Sequence, residues 1–285
     1  MIKQLSSLLK LRIGVIMALT AMVAMVVTPG RSVEMWEALV LGLTVLLAAG
    51  SAGAFNQYYE RDIDQRMART RNRPFVTGRF RHSRWWLLFI SGLLVLGVGG
   101  AALALNGLTA LYILLGAFFY AIIYTVWLKR RTWLNIVIGG ASGSFAVLAG
   151  ASLVDPALGP IPVILAIVLF RLTPSHFWSL AIARHDEYAA ANVPMLPVVA
   201  GDQAAAKAIM FNTLLLVIIS ITPILFGLGW IYLLGALSGG GYFLYRNIQL
   251  VQDQSTKIAM TNFFASLIQL AILLSCAVLD NLLLG

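Results

Sequence analysis

Nine apolar segments, each about as long as a bilayer-crossing helix, follow one another through almost the whole chain. Backbone N–H and C=O groups in lipid must find partners inside the segment, so such segments fold as helices. Apolar residues make up 60% of the sequence and charged residues 11%, unlike a soluble domain. We predict an all-α, polytopic membrane protein that forms one domain over residues 1–285. The predicted spans are 11–28, 36–55, 85–105, 108–128, 133–153, 160–183, 205–228, 230–246 and 261–284.

The basic residues predict how the chain is oriented in the membrane. All but two of the 20 basic residues fall in, or directly beside, the loops that nine alternating spans place on one side. The exceptions are Arg31, in an opposite-side loop, and Arg171, inside a span. Because basic loops stay on the cytoplasmic side, we expect a cytoplasmic N-terminus. The net charge of +9 follows from this topology, so we expect no nucleic-acid partner. Without an Arg/Ser-rich presequence, a bacterial inner (plasma) membrane is favoured over the mitochondrial inner membrane.

Three oxygen-bearing side chains recur every four residues at the end of the second span. They are Asn56, Glu60 and Asp64. A helix places residues four apart on one face, so these side chains form a ladder. Carboxylate and amide oxygens suit a hard cation such as Mg²⁺, which usually keeps some waters and takes other ligands from phosphates.

An arginine run follows the ladder at Arg66, Arg69, Arg71 and Arg73. Guanidinium groups bind phosphate oxygens through paired hydrogen bonds. Acids that bind a metal, followed by bases that bind phosphates, indicate a site for a magnesium diphosphate.

A second acidic cluster, Asp186 and Glu187, lies at the end of the sixth span. The predicted topology puts it on the same side as the ladder, where both clusters would face one metal diphosphate. The alternative interpretation is a solvated helix end with no ligand.

Four stretches of this sequence resemble a known family. The spacing of Asn56, Glu60 and Asp64 resembles the first acidic motif of the UbiA superfamily of intramembrane prenyltransferases, which more often has Asp at the position of Glu60. Longer strings are similar to its heme O synthase (protoheme IX farnesyltransferase) branch. They are NQYYERDIDQRMARTRNRP at 56–74, YTVWLKRRT at 124–132, TPSHFW at 173–178 and NVPMLPVV at 192–199.

The resemblance implies a nine-helix bundle around a central cavity. Farnesyl diphosphate would bind with its diphosphate and Mg²⁺ at the cytoplasmic mouth and its tail in an apolar tunnel. The farnesyl C1 would join a vinyl group of heme b, and water would supply the hydroxyl of the product. Partners would be these two substrates, the lipid bilayer, and heme-handling or oxidase assembly proteins.

The resemblance also implies roles for particular residues. The metal ligands would be Asn56, Glu60, Asp64, Asp186 and Glu187, and all of these except Glu187 would be catalytic. The diphosphate would be bound by Arg69, Arg73, Lys129 and Arg130.

Heme contacts are expected from the sixth span, at His176, Trp178 and Arg171. Imidazole is a common ligand of heme iron. The alternative for His176 is a buried histidine bonded to a neighbouring helix, helped by the carbonyl that Pro174 leaves free. Arg171 would either pair with a heme propionate or extend toward the interface.

Two other functions are compatible with parts of this pattern. A related enzyme would prenylate an aromatic quinone precursor instead of heme, and the strings around His176 and Pro194 argue against it. A transporter or channel for an anion would suit the basic mouth, but carboxylates there would repel an anion unless a metal is bound.

Overall fold

The computed structural model describes residues 2–284, which form helices joined by loops and turns and contain no strand. The first seven helices are α1 (Ile2–Leu8), α2 (Leu11–Val27), α3 (Met35–Tyr59), α4 (Arg61–Arg66), α5 (Trp85–Ala104), α6 (Gly107–Phe118) and α7 (Asn135–Gly139). The others are α8 (Ala141–Val154), α9 (Pro160–Ala183), α10 (His185–Ala190), α11 (Leu196–Ala200), α12 (Asp202–Ile221), α13 (Trp230–Gln252) and α14 (Thr256–Leu284). A π-helical segment, Phe119–Leu128, continues α6, and a 3₁₀ turn, Thr222–Phe226, continues α12.

Seven helical stretches are long and apolar enough to cross a bilayer. They include α3, α5, α9 and α14, and three stretches formed by α6 with its π-helical extension, by α7 with α8, and by α12 with its 3₁₀ turn. The remaining predicted spans are also helices: α2 is apolar but has 17 residues, and α13 is less apolar. The all-α membrane architecture is confirmed, and the count of nine spans stays a prediction.

The long helices pack in chain order. Each of α2, α3, α5, α6, α8, α9, α12, α13 and α14 packs on the next, and α14 also packs on α2. Further packing of α2 on α8, and of α9 on α14, runs across this ring. The order follows from short connections, because consecutive antiparallel helices pack as neighbours.

Gly150 lies at a close approach between α2 and α8. A Cβ added at Gly150 would overlap the backbone carbonyl of Ala21. Small residues let helix backbones approach in lipid, where association depends on packing and not on the hydrophobic effect. Gly150 therefore holds two helices that line the cavity described below.

We expect Gly150→Ala to lower the free energy of unfolding by about 1–3 kcal/mol, since the added methyl group forces the two backbones apart. Thermal unfolding in detergent would measure this. Gly99→Ala is the matched control, because a Cβ at Gly99 meets no heavy atom of the described residues within 4 Å. Equal melting temperatures for the two variants would contradict the role of Gly150 in the packing of α2 on α8.

Candidate active site

The predicted ladder lies at the junction between α3 and α4. Glu60 interrupts the helix, with φ −92° and ψ 17°. The hydrogen bonds from Glu60 N to Asn56 O and from Asp64 N to Glu60 O are still both 2.9 Å long. The four-residue spacing therefore continues across the junction. The exposed fractions are 2% for Asn56, 0% for Glu60 and 2% for Asp64, so the ladder is buried. Its metal-binding role stays a prediction.

Both carboxylates of the ladder are paired with bases. Lys129 Nζ donates to Glu60 Oε2 at 2.5 Å, and the two side chains are 11% and 1% exposed. Arg73 Nη1 contacts both oxygens of Asp64, at 2.8 and 2.7 Å. Arg73 and Lys129 were both predicted to bind diphosphate, and the structure brings them directly onto the predicted metal ligands. The pairing offsets the high cost of two carboxylates buried in a medium of low dielectric.

One oxygen of the ladder lacks a protein partner. Glu60 Oε1 is buried and accepts no hydrogen bond from any described residue. A buried charged oxygen without a partner is costly, so native structures rarely contain one unless a ligand, ion or water satisfies it. This orphaned atom makes the donor set suitable for a bound cation.

Lys10 is a residue of this site that sequence reasoning missed. Its Nζ donates to Asn56 Oδ1 and to Tyr120 Oη, both at 2.7 Å. Burial is the main cause that lowers the pKa of the Lys10 ammonium well below its usual value, and the nearby Arg73 guanidinium adds to it. In the sequence, Lys10 contributed only to the prediction of membrane orientation, because nothing in its spacing distinguishes it from Lys3.

The backbone is arranged to hold Lys10 in this position. Lys10 has φ 48° and ψ 43°, a left-handed conformation that is uncommon outside glycine. Across from it on α3, a Cβ at Gly53 would lie 3.3 Å from Lys10 Cβ, so glycine provides room for the turn. A strained backbone that is held by its surroundings is frequent at functional sites.

The π-helical segment supplies the other side of the site. Thr125 Oγ1 accepts from Asn56 Nδ2 at 3.0 Å and donates to Tyr120 O at 2.8 Å. This contact turns the amide so that Asn56 Oδ1 faces Lys10. Lys129 N donates to Tyr124 O, five residues earlier, and places the Lys129 side chain beside the ladder. Segments of this kind are often found at functional sites.

An apolar cavity of about 220 Å³ leads away from the ladder. Lys10 and Tyr120 line it and also connect it to Asn56, so the cavity ends at the polar cluster. Ile13 lines it too and is 55% exposed, which brings the cavity to the outer surface beside α2. Other lining residues include Met17, Val45, Ala52, Ile113, Ala146 and Phe177.

The second acidic cluster reaches the arginine segment through one residue. Glu187 Oε2 accepts from Arg69 N at 3.4 Å, and Glu187 Oε1 accepts from Arg184 Nη1 at 3.1 Å. Asp186 is exposed. Over residues 2–284, no three His, Cys, Asp or Glu side chains stand together as a metal-binding group. The two clusters thus meet at Arg69, but their carboxylates are not gathered into one cage.

The other predicted phosphate ligands lie outside the ladder. Arg130 forms a two-pronged ion pair with Asp62, with both distances 2.7 Å. Hydrogen bonding from this guanidinium lowers the pKa of the Asp62 carboxyl. The Arg69 side chain is exposed, so Arg69 and Arg130 belong to the outer rim of the site.

The three predicted heme-contacting residues do not share one surface. His176 Nδ1 lies 2.7 Å from Ser266 Oγ on α14. Trp178 is buried, and its indole N–H has no acceptor among the described residues. Arg171 is partly buried in α9 and forms no ion pair within residues 2–284. The histidine contact to a neighbouring helix matches the structural alternative, although its partner is a side chain and not a freed carbonyl.

Comparison with known proteins identifies the family of this chain. Residues 17–268 match the UbiA prenyltransferase family. The chain belongs to the UbiA prenyltransferase family. It is 53% identical over 284 residues to "Protoheme IX farnesyltransferase 2" of Paramagnetospirillum magneticum, covering 100% of this chain and 99% of the relative. It is 40% identical to "Protoheme IX farnesyltransferase" of Alkalilimnicola ehrlichii, covering 96% of this chain and 91% of the relative.

Solved UbiA structures share the fold of this UbiA-family chain. A UbiA homolog from Aeropyrum pernix K1 superposes with a TM-score of 0.75 at 18% identity, covering 96% of this chain and 99% of that one. A UbiA homolog from Archaeoglobus fulgidus bound to DMAPP and Mg²⁺ superposes with a TM-score of 0.71 at 19% identity. That match covers 95% of this chain and 99% of the other. At these identities the likeness concerns the fold.

In this UbiA-family site, we expect Lys129→Met to lower the free energy of unfolding by about 3–5 kcal/mol, because it leaves the Glu60 carboxylate buried without its partner. Adding Glu60→Gln should restore most of that stability without restoring prenyl transfer. Thermal unfolding and turnover of the single and double variants would measure both effects. If the double variant is as unstable as Lys129→Met, the loss of stability does not come from leaving Glu60 without its ion-pair partner.

Proposed function

We propose that this chain transfers the farnesyl group of farnesyl diphosphate to a vinyl group of heme b, giving heme O. One observation carries the prenyl-transfer part: an apolar cavity ends on Lys10 and Tyr120, which also bond to Asn56 of the acidic ladder. An isoprenoid diphosphate needs this combination of an apolar tunnel and a charged head site. Heme as the acceptor is supported by full-length relatives named protoheme IX farnesyltransferase.

Mg²⁺ would be held by Asn56, Glu60 and Asp64, with Asp186 and Glu187 approaching from the second cluster. The orphaned Glu60 Oε1 supports this assignment, since it is a buried oxygen that a cation would satisfy. When bound, the metal supplies Lewis-acid stabilisation of the charge that develops on the departing diphosphate.

The bases that pair with the ladder would exchange partners when substrate binds. Lys10, Arg73 and Lys129 would turn from the ladder to diphosphate oxygens, while Arg69 and Arg130 would add donors at the rim. These donors stabilise charge that grows as the C1–O bond breaks and its electron pair leaves with the diphosphate. Lys10 stands nearest the cavity, where C1 would lie.

The cavity would then direct the farnesyl cation to the acceptor. Its apolar walls delay capture by water, and the ring of Tyr120 faces C1 from the wall. The terminal vinyl carbon of heme b forms the new bond to C1. Water adds to the other vinyl carbon and loses a proton, which completes the hydroxyethylfarnesyl group.

The heme would be bound by residues of α9. His176 would contact the ring or its iron, and Arg171 would pair with a propionate. Arg171 is a charge in the middle of a membrane helix without an ion pair among the described residues, and such charges usually face a functional partner. Trp178 would contribute from the same helix.

The protein would work as one domain in the bacterial inner (plasma) membrane, with its N-terminus and the ladder on the cytoplasmic side. The basic loops support this orientation. Heme-handling and oxidase assembly proteins would deliver heme b and receive the product.

The decisive experiment incubates purified protein with heme b, farnesyl diphosphate and Mg²⁺ and identifies the heme product by mass. We expect a farnesylated, hydrated heme. A parallel reaction replaces heme b with an aromatic acid such as 4-hydroxybenzoate. Prenylation of the aromatic acid without any change in heme would overturn the proposal in favour of an aromatic acceptor.

The proposed ladder predicts a strict need for divalent metal. Chelation with EDTA, or Asp64→Asn or Asn56→Ala, should reduce turnover by about 100-fold or more, because the leaving group loses its electrostatic stabilisation. Asp253→Asn, which changes an exposed acid in the α13–α14 turn, is the control and should keep full turnover. Turnover in both ladder variants that remains near wild type at limiting Mg²⁺ would contradict the ligand assignment.

A further inference from the structure

The ring of His176 is held between two aromatic side chains and one hydroxyl. It stacks on Phe263 of α14 with ring centroids 4.0 Å apart, and Phe177 meets it edge-on at 5.0 Å. Its Nδ1 lies 2.7 Å from Ser266 Oγ. These contacts fix both the position of the ring and its rotation.

The hydrogen bonds of Ser266 determine which nitrogen of His176 carries the proton. Ser266 Oγ lies 2.6 Å from the Phe263 carbonyl, which can accept but cannot donate. The single hydroxyl hydrogen therefore points at that carbonyl, and a lone pair of Oγ faces the histidine. Nδ1 must be the donor, so the neutral ring has its proton on Nδ1 and a bare lone pair on Nε2.

The Nε2 atom is directed away from these partners. No described residue forms a hydrogen bond with it, and the His176 side chain is partly exposed. On α9, Thr173 and Phe177 line the cavity, and position 176 lies about 60° around the helix axis from position 173. His176 packs against α14 and is not itself among the residues that line the cavity, but its partly exposed ring adjoins the cavity-lining Phe177 and leaves the Nε2 lone pair open to a ligand that approaches α9.

We propose that Ser266 is a positioning residue that prepares His176 to ligate the iron of the heme substrate through Nε2. This inference rests on the proposed function. A histidine that binds a metal usually donates its other ring N–H to a fixed acceptor, which sets the tautomer and raises the basicity of the ligand. Ser266 provides this acceptor before heme binds. Ligation would hold the macrocycle at a set depth beside α9 and so select which vinyl group meets the farnesyl C1.

The test uses purified full-length protein with heme b and measures two quantities. The first is heme affinity, followed by the absorption band, alongside affinity for farnesyl diphosphate. The second is the Fe–His stretching band of the ferrous complex in resonance Raman spectra, whose frequency depends on the hydrogen bond at Nδ1. Ser266→Ala removes the acceptor, whereas Ser266→Thr keeps the hydroxyl.

The matched control is Ser220→Ala on α12. Ser220 is also fully buried, and its hydroxyl donates to the carbonyl three residues earlier at 2.8 Å, but no histidine contacts it. Ser220→Ala therefore reproduces the loss of a buried hydroxyl without the proposed role. Ser266→Cys offers a weaker acceptor of similar volume if Ser266→Ala does not fold.

We expect Ser266→Ala to weaken heme binding about tenfold and to lower the Fe–His frequency, with farnesyl diphosphate affinity unchanged. Ser266→Thr and Ser220→Ala should behave like wild type, and His176→Ala should abolish the band. An unchanged band and heme affinity in Ser266→Ala, or a band that survives His176→Ala, would overturn the inference. If the inference is overturned but wild type still makes farnesylated heme, the proposed function stands. If wild type makes no farnesylated heme, both the inference and the proposed function are wrong.

Discussion

The pairing of buried acids with buried bases is the constraint on which the rest of this site depends. Glu60 and Asp64 are nearly inaccessible inside a membrane bundle, where an unpaired carboxylate would be very unfavourable. Lys129, which follows Glu60 by 69 residues, and Arg73, which follows Asp64 by nine, offset these charges. The ion pairs therefore join the α3–α4 junction to the end of the π-helical segment and to the arginine loop. Lys10 joins the α1–α2 turn to the same site through its hydrogen bond to Asn56.

The same pairing prepares the site for a ligand that carries both signs of charge. In the proposed function, a metal diphosphate would present a cation to the acids and anionic oxygens to the bases, so each buried group would exchange one partner of opposite charge for another. Neither the metal nor the diphosphate alone offers this full exchange. Glu60 Oε1, which lacks a partner among the described residues, is the point where the internal pairing is incomplete. The adjoining apolar cavity would then favour an anion with a long apolar tail.

Particular residues show how far the site followed from sequence. The ladder was predictable because its period matches a helix, and the arginine run was predictable because it is local in the chain. Lys10 was not, since its role depends on Gly53 and on a left-handed turn that bring it to Asn56. The approach of Glu187 to Arg69 was an expectation from topology, whereas the exposed position of Asp186 matches the alternative interpretation of a solvated helix end.

By itself, the sequence determined the all-α membrane class, the locations of the long apolar helices and the family, because apolar length, helical period and local motifs are properties of neighbouring residues. Tertiary structure alone decided which base meets which acid, where the cavity lies and which nitrogen of His176 is free. Those outcomes depend on helix packing and on single hydrogen bonds between residues far apart in the chain. The contact between His176 and Ser266 joins positions 90 residues apart, and no local pattern in the sequence encodes it.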